Sequence, residues 1–222
     1  MNYMANSPKS LPATPVRFTA RFGGLFPFAI LLLSLTLSVA GCKRPIPLDT
    51  KPLDIAGMNY DAIKQLKALG MTFPEVSELA KARGSGFSDA SCLEAYQIIH
   101  GRGQPFNEGD AIAGLIQVGM REDDILELVK LDQLGIGVGE LQAIRLAGLS
   151  DSIVLEVARH HAAGKPVLSG ASLSNMRNVG LRESTLLELA RRGVPDSETN
   201  TIMVLRRHGA SEADILRRYP AS

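Results

Sequence analysis

The sequence predicts an all-α fold in which short helical hairpins stack into an irregular solenoid, after a signal helix and an extended tether. Three observations support this fold class. A glycine-centred motif recurs along the chain, about every 30 residues over most of its length. Apolar residues in each copy are spaced three and four apart, as on one face of a helix. No segment alternates between apolar and polar residues with the period of two that is typical of strands.

The amino-terminal segment has the layout of a secretory signal. Residues 1–24 contain no acidic residue and three basic ones: Lys9, Arg17 and Arg21. An apolar run from Leu25 to Leu37 follows, and small residues end it. A transmembrane helix needs roughly 20 apolar residues, so this shorter run favours a cleaved signal over an uncleaved membrane anchor.

The segment ends in an aliphatic residue, two small residues and a cysteine: Val39, Ala40, Gly41 and Cys42. This arrangement resembles the lipobox of bacterial lipoproteins. The resemblance implies that the Cys42 thiol receives a diacylglyceryl group, that the bond between Gly41 and Cys42 is cleaved, and that the new amino group is acylated. One acyl chain binds a bilayer only marginally, whereas two or more anchor a protein stably. The chain would therefore be anchored to a membrane through Cys42, and no other cofactor is predicted.

Lys43 bears on the destination of such a lipoprotein. In enteric bacteria an aspartate after the lipid-bearing cysteine often signals retention in the inner membrane, and Lys43 occupies that position here. The resemblance therefore implies a lipid-anchored protein of the bacterial cell envelope. It favours the outer membrane over the inner membrane and is compatible with either its periplasmic or its surface face.

The segment after the cysteine is predicted to be an extended tether. Residues 43–57 contain three prolines and show no helical period. A chain of this length spans at most about 50 Å at ~3.3–3.6 Å per residue, and its prolines should keep it partly extended. We expect it to hold the folded domain clear of the lipid headgroups. The predicted organisation is a signal peptide at 1–41, a tether at 42–57 and a helical-hairpin repeat domain at 58–222.

The repeat is defined by five glycines, spaced 49, 29, 32 and 29 residues apart: Gly70, Gly119, Gly148, Gly180 and Gly209. Each has an apolar residue four positions before it and Val, Ile or Leu six positions after it. The glycine is expected to adopt a positive φ and end the first helix of a hairpin. Thr72 with Glu75, and Ser211 with Asp214, match the spacing of a capping box that begins the second helix.

Pairs of an apolar and a polar or small residue are expected to begin the first helices: Met58-Asn59, Phe87-Ser88, Phe106-Asn107, Ile136-Gly137 and Leu168-Ser169. The long interval between Gly70 and Gly119 is interpreted as a degenerate unit whose second helix is lost or shortened. Cys92 lies in this interval and is expected to pack as a small apolar residue in a helix. An exposed thiol, or a bridge between two copies of the chain, is the alternative.

Charge gives little indication of a nucleic-acid partner. The predicted leader holds three of the 24 basic residues and none of the 23 acidic ones, which leaves 21 basic and 23 acidic residues. Such a chain lacks the overall positive charge of a nucleic-acid-binding protein. Residues 165–222 hold nine basic and six acidic residues. We interpret these arginines as complements to helix carboxyl ends, with a patch for an acidic partner or for headgroups as the alternative.

A glycine-rich segment, Gly135-Ile136-Gly137-Val138-Gly139, resembles the turn of helix-hairpin-helix DNA-binding proteins. In such a turn backbone amides contact a phosphate. Leu141 stands where the resemblance calls for a small residue, and the surroundings are acidic. We therefore interpret the segment as a short turn between hairpins, with DNA binding as the alternative. His160 and His161 are adjacent and so face different sides of a helix, and we interpret them as the charged end of that helix rather than as metal ligands.

The sequence shows no nucleophile–base pair, phosphate loop or zinc-ligand spacing, so we predict no enzyme, catalytic residue or metal site. The expected function is that of a membrane-anchored envelope lipoprotein whose all-α repeat domain is a scaffold or protein-binding module. A protein partner and the membrane are expected, without nucleic acid or a small-molecule substrate. A DNA-binding envelope protein of the helix-hairpin-helix type and a cryptic enzyme are the alternatives.

Overall fold

The computed structural model describes residues 47–135 and 138–220. These residues form helices and no β-strand, so the predicted all-α fold is confirmed. The helices are α1 (Lys51–Ile55), α2 (Tyr60–Ala68), α3 (Phe73–Gly84), α4 (Asp89–Gly101), α5 (Gly109–Gln117), α6 (Glu122–Lys130), α7 (Val138–Leu146), α8 (Asp151–Ala162), α9 (Gly170–Asn178), α10 (Glu183–Arg191), α11 (Thr199–Arg207) and α12 (Glu212–Arg218), with a 3₁₀ turn at Asp196–Glu198. None of the helices in this part of the chain combines the length and apolar character needed to cross a membrane.

The helices stack in two layers. The odd-numbered helices, α1 to α11, each pack on the next odd-numbered helix, and the even-numbered helices, α2 to α12, do the same. From α3 onward, each odd-numbered helix also packs on the even-numbered helix that follows it. The chain therefore builds six hairpins that share one continuous apolar core, as in repeat proteins whose single units are too small to fold alone.

Two edges of the stack differ in their turns. Along the first, which we call the tight edge, every odd helix is joined to the following even helix by four residues: 56–59, 85–88, 118–121, 147–150, 179–182 and 208–211. Along the other, the wide edge, even helices are joined to odd helices by 69–72, 102–108, 131–137, 163–169 and 192–198. Four of these five wide-edge connections have seven residues; only 69–72 is as short as the tight-edge turns.

Each tight-edge turn contains a glycine with positive φ, followed by an apolar residue that tucks under the helix end. In the turn after α3, Gly86 has a φ of 111°, and the N–H of the buried Phe87 donates to the carbonyl of Ala82 at 3.2 Å. This pattern satisfies carbonyls that the helix leaves open at its carboxyl end. All five glycines of the sequence repeat have positive φ, as predicted. Asp132 ends α6 in the same conformation, with a φ of 58°, and is the one such residue other than glycine in the described chain.

The interpretation of a degenerate unit between Gly70 and Gly119 is wrong. The interval holds a complete hairpin, α3–α4, whose second helix has 13 residues and packs between α2 and α6. Gly70 ends an even helix, whereas the other four repeat glycines end odd helices. When Gly57 and Gly86 are included, the odd helices end every 29 to 33 residues without a gap. The long spacing arose because the wide-edge turn at 69–72 has the length and sequence pattern of a tight-edge turn.

The helical domain begins before the predicted boundary at residue 58. Helix α1 lies within the segment predicted to be an extended tether, and it packs on α3. Pro52 is tolerated because it lies in the first turn, where its missing N–H has no partner to lose. Leu53 is fully buried, so the burial of an apolar side chain outweighs the weak helix preference of this stretch.

Most predicted helix starts are confirmed. Asn59, Ser88 and Ser169 are the N-cap residues of α2, α4 and α9. Both predicted capping boxes are present, at the starts of α3 and α12. Helix α5 begins at Gly109, later than expected from Phe106-Asn107, and Ile136-Gly137 lies outside the described residues.

Candidate interaction surfaces

The sites predicted from the sequence fall mainly outside the described residues. Val39, Ala40, Gly41 and Cys42 all do, so lipid attachment at Cys42 and cleavage after Gly41 stay predictions. Two residues of the glycine-rich segment, 136 and 137, are also outside. Leu141 is fully buried in α7, where it contributes to the shared core.

Cys92 is buried in α4, so the prediction that it packs as a small apolar residue is confirmed. Burial raises the pKa of its thiol to about 12, and the neighbouring carboxylate of Asp89 adds to this effect. Because the thiolate is the reactive form, this cysteine has neither the exposure nor the ionisation that a reactive thiol needs.

A row of carboxylates runs along the tight edge. It consists of the first residue of each even helix after α2: Asp89, Glu122, Asp151, Glu183 and Glu212. Each accepts a hydrogen bond from the backbone N–H at the N-cap of the preceding even helix, at 3.0–3.3 Å. These bonds satisfy exposed amides and place negative charge at positive helix ends. The acidic residues of this row therefore hold neighbouring hairpins in register.

A row of arginines lies on the same edge, three residues before the turn glycine of the odd helices. Its members are Arg83, Arg145, Arg177 and Arg206, and they donate at 2.7–3.1 Å to the carbonyls of Gly57, Gly119, Gly148 and Gly180. Helix α5 carries Ile116 at this position, so the row has one interruption. The interpretation that arginines of residues 165–222 complement helix carboxyl ends is confirmed for Arg177 and Arg206. All four arginines of this row bond to groups inside the domain.

Short-range sequence patterns do not reveal either row, because each bond joins residues 26 to 34 positions apart. The repeat period is the signal that could have revealed them. Arginine three residues before the glycine, and an acid three residues after it, recur along the odd-to-even turns. Arg83 and Asp89 show the combination, and they also pair with each other at 2.5 Å.

A buried polar cluster at the wide edge centres on Glu75, whose side chain is 1% exposed. Its carboxylate accepts hydrogen bonds from the backbone N–H groups of Thr72 at 2.8 Å and Phe106 at 2.9 Å, and from the hydroxyl of Tyr96 at 3.3 Å. Burial alone would raise the pKa of Glu75, but the bonds from Phe106 and Thr72 outweigh it and lower that pKa. A saturated carboxylate of this kind fixes α3, α4 and α5 together and is poorly suited to accept a proton in catalysis.

A cavity of about 260 Å³ lies between α7, α8 and the 3₁₀ turn, and its lining is mostly apolar. Its two carboxylates already accept backbone hydrogen bonds at the start of α9: Asp196 from the N–H of Ser169 at 2.8 Å, and Glu140 from the N–H of Gly170. The two carboxylates of the cavity are therefore occupied by the amides at the start of α9.

The two adjacent histidines separate in the structure. His160 is buried, and its Nε2 lies 3.5 Å from the carboxylate of Glu156, whereas the Nδ1 of the exposed His161 lies 3.0 Å from the side-chain oxygen of Gln133. Within the part of the chain that the structure describes, no three His, Cys, Asp or Glu side chains come together as metal ligands would.

Large exposed apolar side chains are concentrated in the first hairpin and the start of α3. The described residues contain six such side chains: Ile55, Tyr60, Leu69, Phe73, Leu146 and Val204. Four of the six lie between Ile55 and Phe73, so this end of the stack holds most of the large exposed apolar side chains among the described residues. Comparison with known protein families, with curated proteins and with solved structures found no match.

Proposed function

We propose that this chain is a membrane-anchored lipoprotein of the bacterial envelope whose all-α repeat domain is a scaffold or protein-binding module. The observation that carries the proposal is the lipobox-like segment, Val39 to Cys42, placed just before a stack of six helical hairpins. The first feature provides an attachment to a membrane. The second provides a long, regular surface of the kind that repeat proteins offer to partners.

The internal contacts support a binding role more than a catalytic one. The carboxylates and arginines of the tight edge bond to neighbouring backbone groups, and so do the two carboxylates of the cavity and that of Glu75. These bonds hold the hairpins in one arrangement before any partner arrives. A preordered surface loses little conformational entropy on binding, which favours affinity.

The anchor is tested by Cys42→Ser, which removes the thiol that would receive the lipid. We expect this variant to leave the membrane fraction and to lack the added mass of the acyl groups in an intact-mass measurement. Cys92→Ala is the matched control, because Cys92 is buried in α4 and should not affect membrane retention. Membrane retention of Cys42→Ser equal to that of the unaltered chain would refute the anchor.

The binding surface is tested by photo-crosslinking in the native cell. A crosslinking residue is placed at exposed positions on the even layer, Ser152 and Ser184, or on the odd layer, Asn175. A partner that binds one layer should crosslink to that layer and not to the other. An absence of crosslinks from both layers to any envelope protein would contradict the scaffold proposal.

A further inference from the structure

The first hairpin carries an aromatic and basic stripe on its outer helix. Tyr60, Lys64 and Lys67 of α2 are all exposed. Residues four and seven positions apart lie within about 40° and 20° of each other around an α-helix, so the three side chains share one face. Asp61 lies about 100° from Tyr60 and about 60° from Lys64 around the same helix, so it borders the stripe on one side.

The two lysines of this stripe differ from Lys81 and Lys130, which lie farther along the stack. Lys81 is paired with Glu78 and Asp110 at 2.7 Å, and Lys130 with Glu127 at 3.0 Å. Lys64 and Lys67 have no carboxylate within 4.0 Å among residues 47–135 and 138–220. Their charges are therefore available to an external anion.

The chain between the predicted lipid and the first hairpin is short. Helix α1 begins at Lys51, nine residues after Cys42, so the connecting chain spans at most about 30 Å. The tether predicted from the sequence would have allowed about 50 Å. The opposite end of the stack lies five helix-to-helix steps beyond α2, or about 40–50 Å farther at ~8–10 Å per step. A lipid on Cys42 would therefore hold the first hairpin closer to the bilayer than the opposite end of the stack can be held.

We propose that the first hairpin rests on the bilayer that holds the acylated Cys42, and that the Tyr60–Lys64–Lys67 stripe contacts anionic lipid headgroups. This inference rests on the proposed lipid anchor. The tyrosine ring places an apolar body and a polar hydroxyl at the boundary between acyl chains and water. The lysines extend their stems along the surface and bring their ammonium groups to the phosphates. The domain then stands on its first hairpin, and the remaining hairpins project away from the membrane.

The absence of tryptophan from the chain provides a direct test. Tyr60→Trp places a single fluorophore in the stripe, and Leu146→Trp places one on α7; both native side chains are 76% exposed. The full lipidated variants are reconstituted in vesicles of phosphatidylglycerol and phosphatidylcholine that carry brominated acyl chains. We expect the bromine to quench the emission of Tyr60→Trp, with a shift to shorter wavelength, and to leave Leu146→Trp unchanged. Equal quenching of the two variants would overturn the proposal.

The role of the lysines is tested in the same vesicles. Adding Lys64→Glu and Lys67→Glu to Tyr60→Trp should remove most of the quenching, whereas Lys165→Glu, an exposed change after α8, should not. Quenching that survives the double change would overturn the headgroup contact. All the changes are at exposed positions, so we expect each variant to fold. Circular dichroism checks this.

The intact mass of the reconstituted chain separates this inference from the proposal on which it rests. A chain without acyl groups on Cys42 contradicts the anchor and the membrane-facing hairpin together. An acylated chain in which Tyr60→Trp is quenched no more than Leu146→Trp leaves the anchor standing and overturns the orientation alone.

Discussion

The tight edge and the wide edge of the stack join neighbouring hairpins in different ways. The tight edge repeats one four-residue turn six times, and neighbouring turns are joined by the carboxylate and arginine rows. The wide edge has connections of four or seven residues, and its hairpins are joined by contacts that occur once or twice, such as those of Glu75 and Gly109. Stability is therefore distributed over many equivalent bonds on one edge and concentrated in a few positions on the other.

This comparison predicts that the most damaging substitutions lie on the wide edge. Gly109 begins α5 directly against the backbone of α3. A Cβ atom at this position would lie 2.7 Å from the carbonyl carbon of Glu78 and 2.8 Å from its Cα. Because these are backbone atoms, neither can move aside without separating the helices. We expect Gly109→Ala to lower the free energy of unfolding by more than about 3 kcal/mol, measured by urea denaturation.

Gly84→Ala is the matched control for this change. Gly84 lies at the end of α3, and a Cβ there meets nothing within 4 Å. Removing a helical glycine should leave stability unchanged or raise it by about 0.5–1 kcal/mol. If Gly109→Ala were as stable as Gly84→Ala, the wide edge would not depend on close helix contact at this position.

The second prediction concerns Glu75 and the pH dependence of stability. The hydrogen bonds that lower the pKa of Glu75 below its ordinary value of 4.5 stabilise the fold when the side chain is ionised. Their contribution is present above pH 4.5 and is lost as the pH falls through the lowered pKa. We expect Glu75→Gln to destabilise the domain by about 2 kcal/mol at pH 7 and by less at pH 3. Urea denaturation at both pH values measures this difference.

Asp123→Asn provides the comparison for Glu75→Gln. Asp123 is an exposed residue in the first turn of α6, where a carboxylate contributes only through the helix dipole, about 0.3–1 kcal/mol. An equal cost of Glu75→Gln at pH 7 and at pH 3 would contradict the argument that the ionised carboxylate holds the wide edge.

The sequence predicted the helices and their turns better than it predicted how they pair. Glycines with positive φ and polar N-caps are local signals, and they located Gly119, Gly148 and Ser169 correctly. The turn at 69–72 carries the same local signal but joins the layers in the opposite direction, and a local pattern contains no information about direction. The positive φ of Asp132 at the end of α6 was not predicted, because this position lacks a glycine; the side chain of Asp132 accepts a hydrogen bond from Arg102 at 3.1 Å.

The smallest predicted effect is on the tight edge, where Arg177 donates to the carbonyl of Gly148 at 2.7 Å. Arg177→Met keeps an apolar stem and removes this bond, and we expect a loss of about 0.5–1.5 kcal/mol in the free energy of unfolding. Arg207→Met, at an exposed residue outside the arginine row, should cost less. The arginine row is already interrupted by Ile116 of α5, and α5 still packs between α3 and α7. Because each bond in the row is equivalent to several others, a loss larger than that of Gly109→Ala would show that stability is not distributed along this edge.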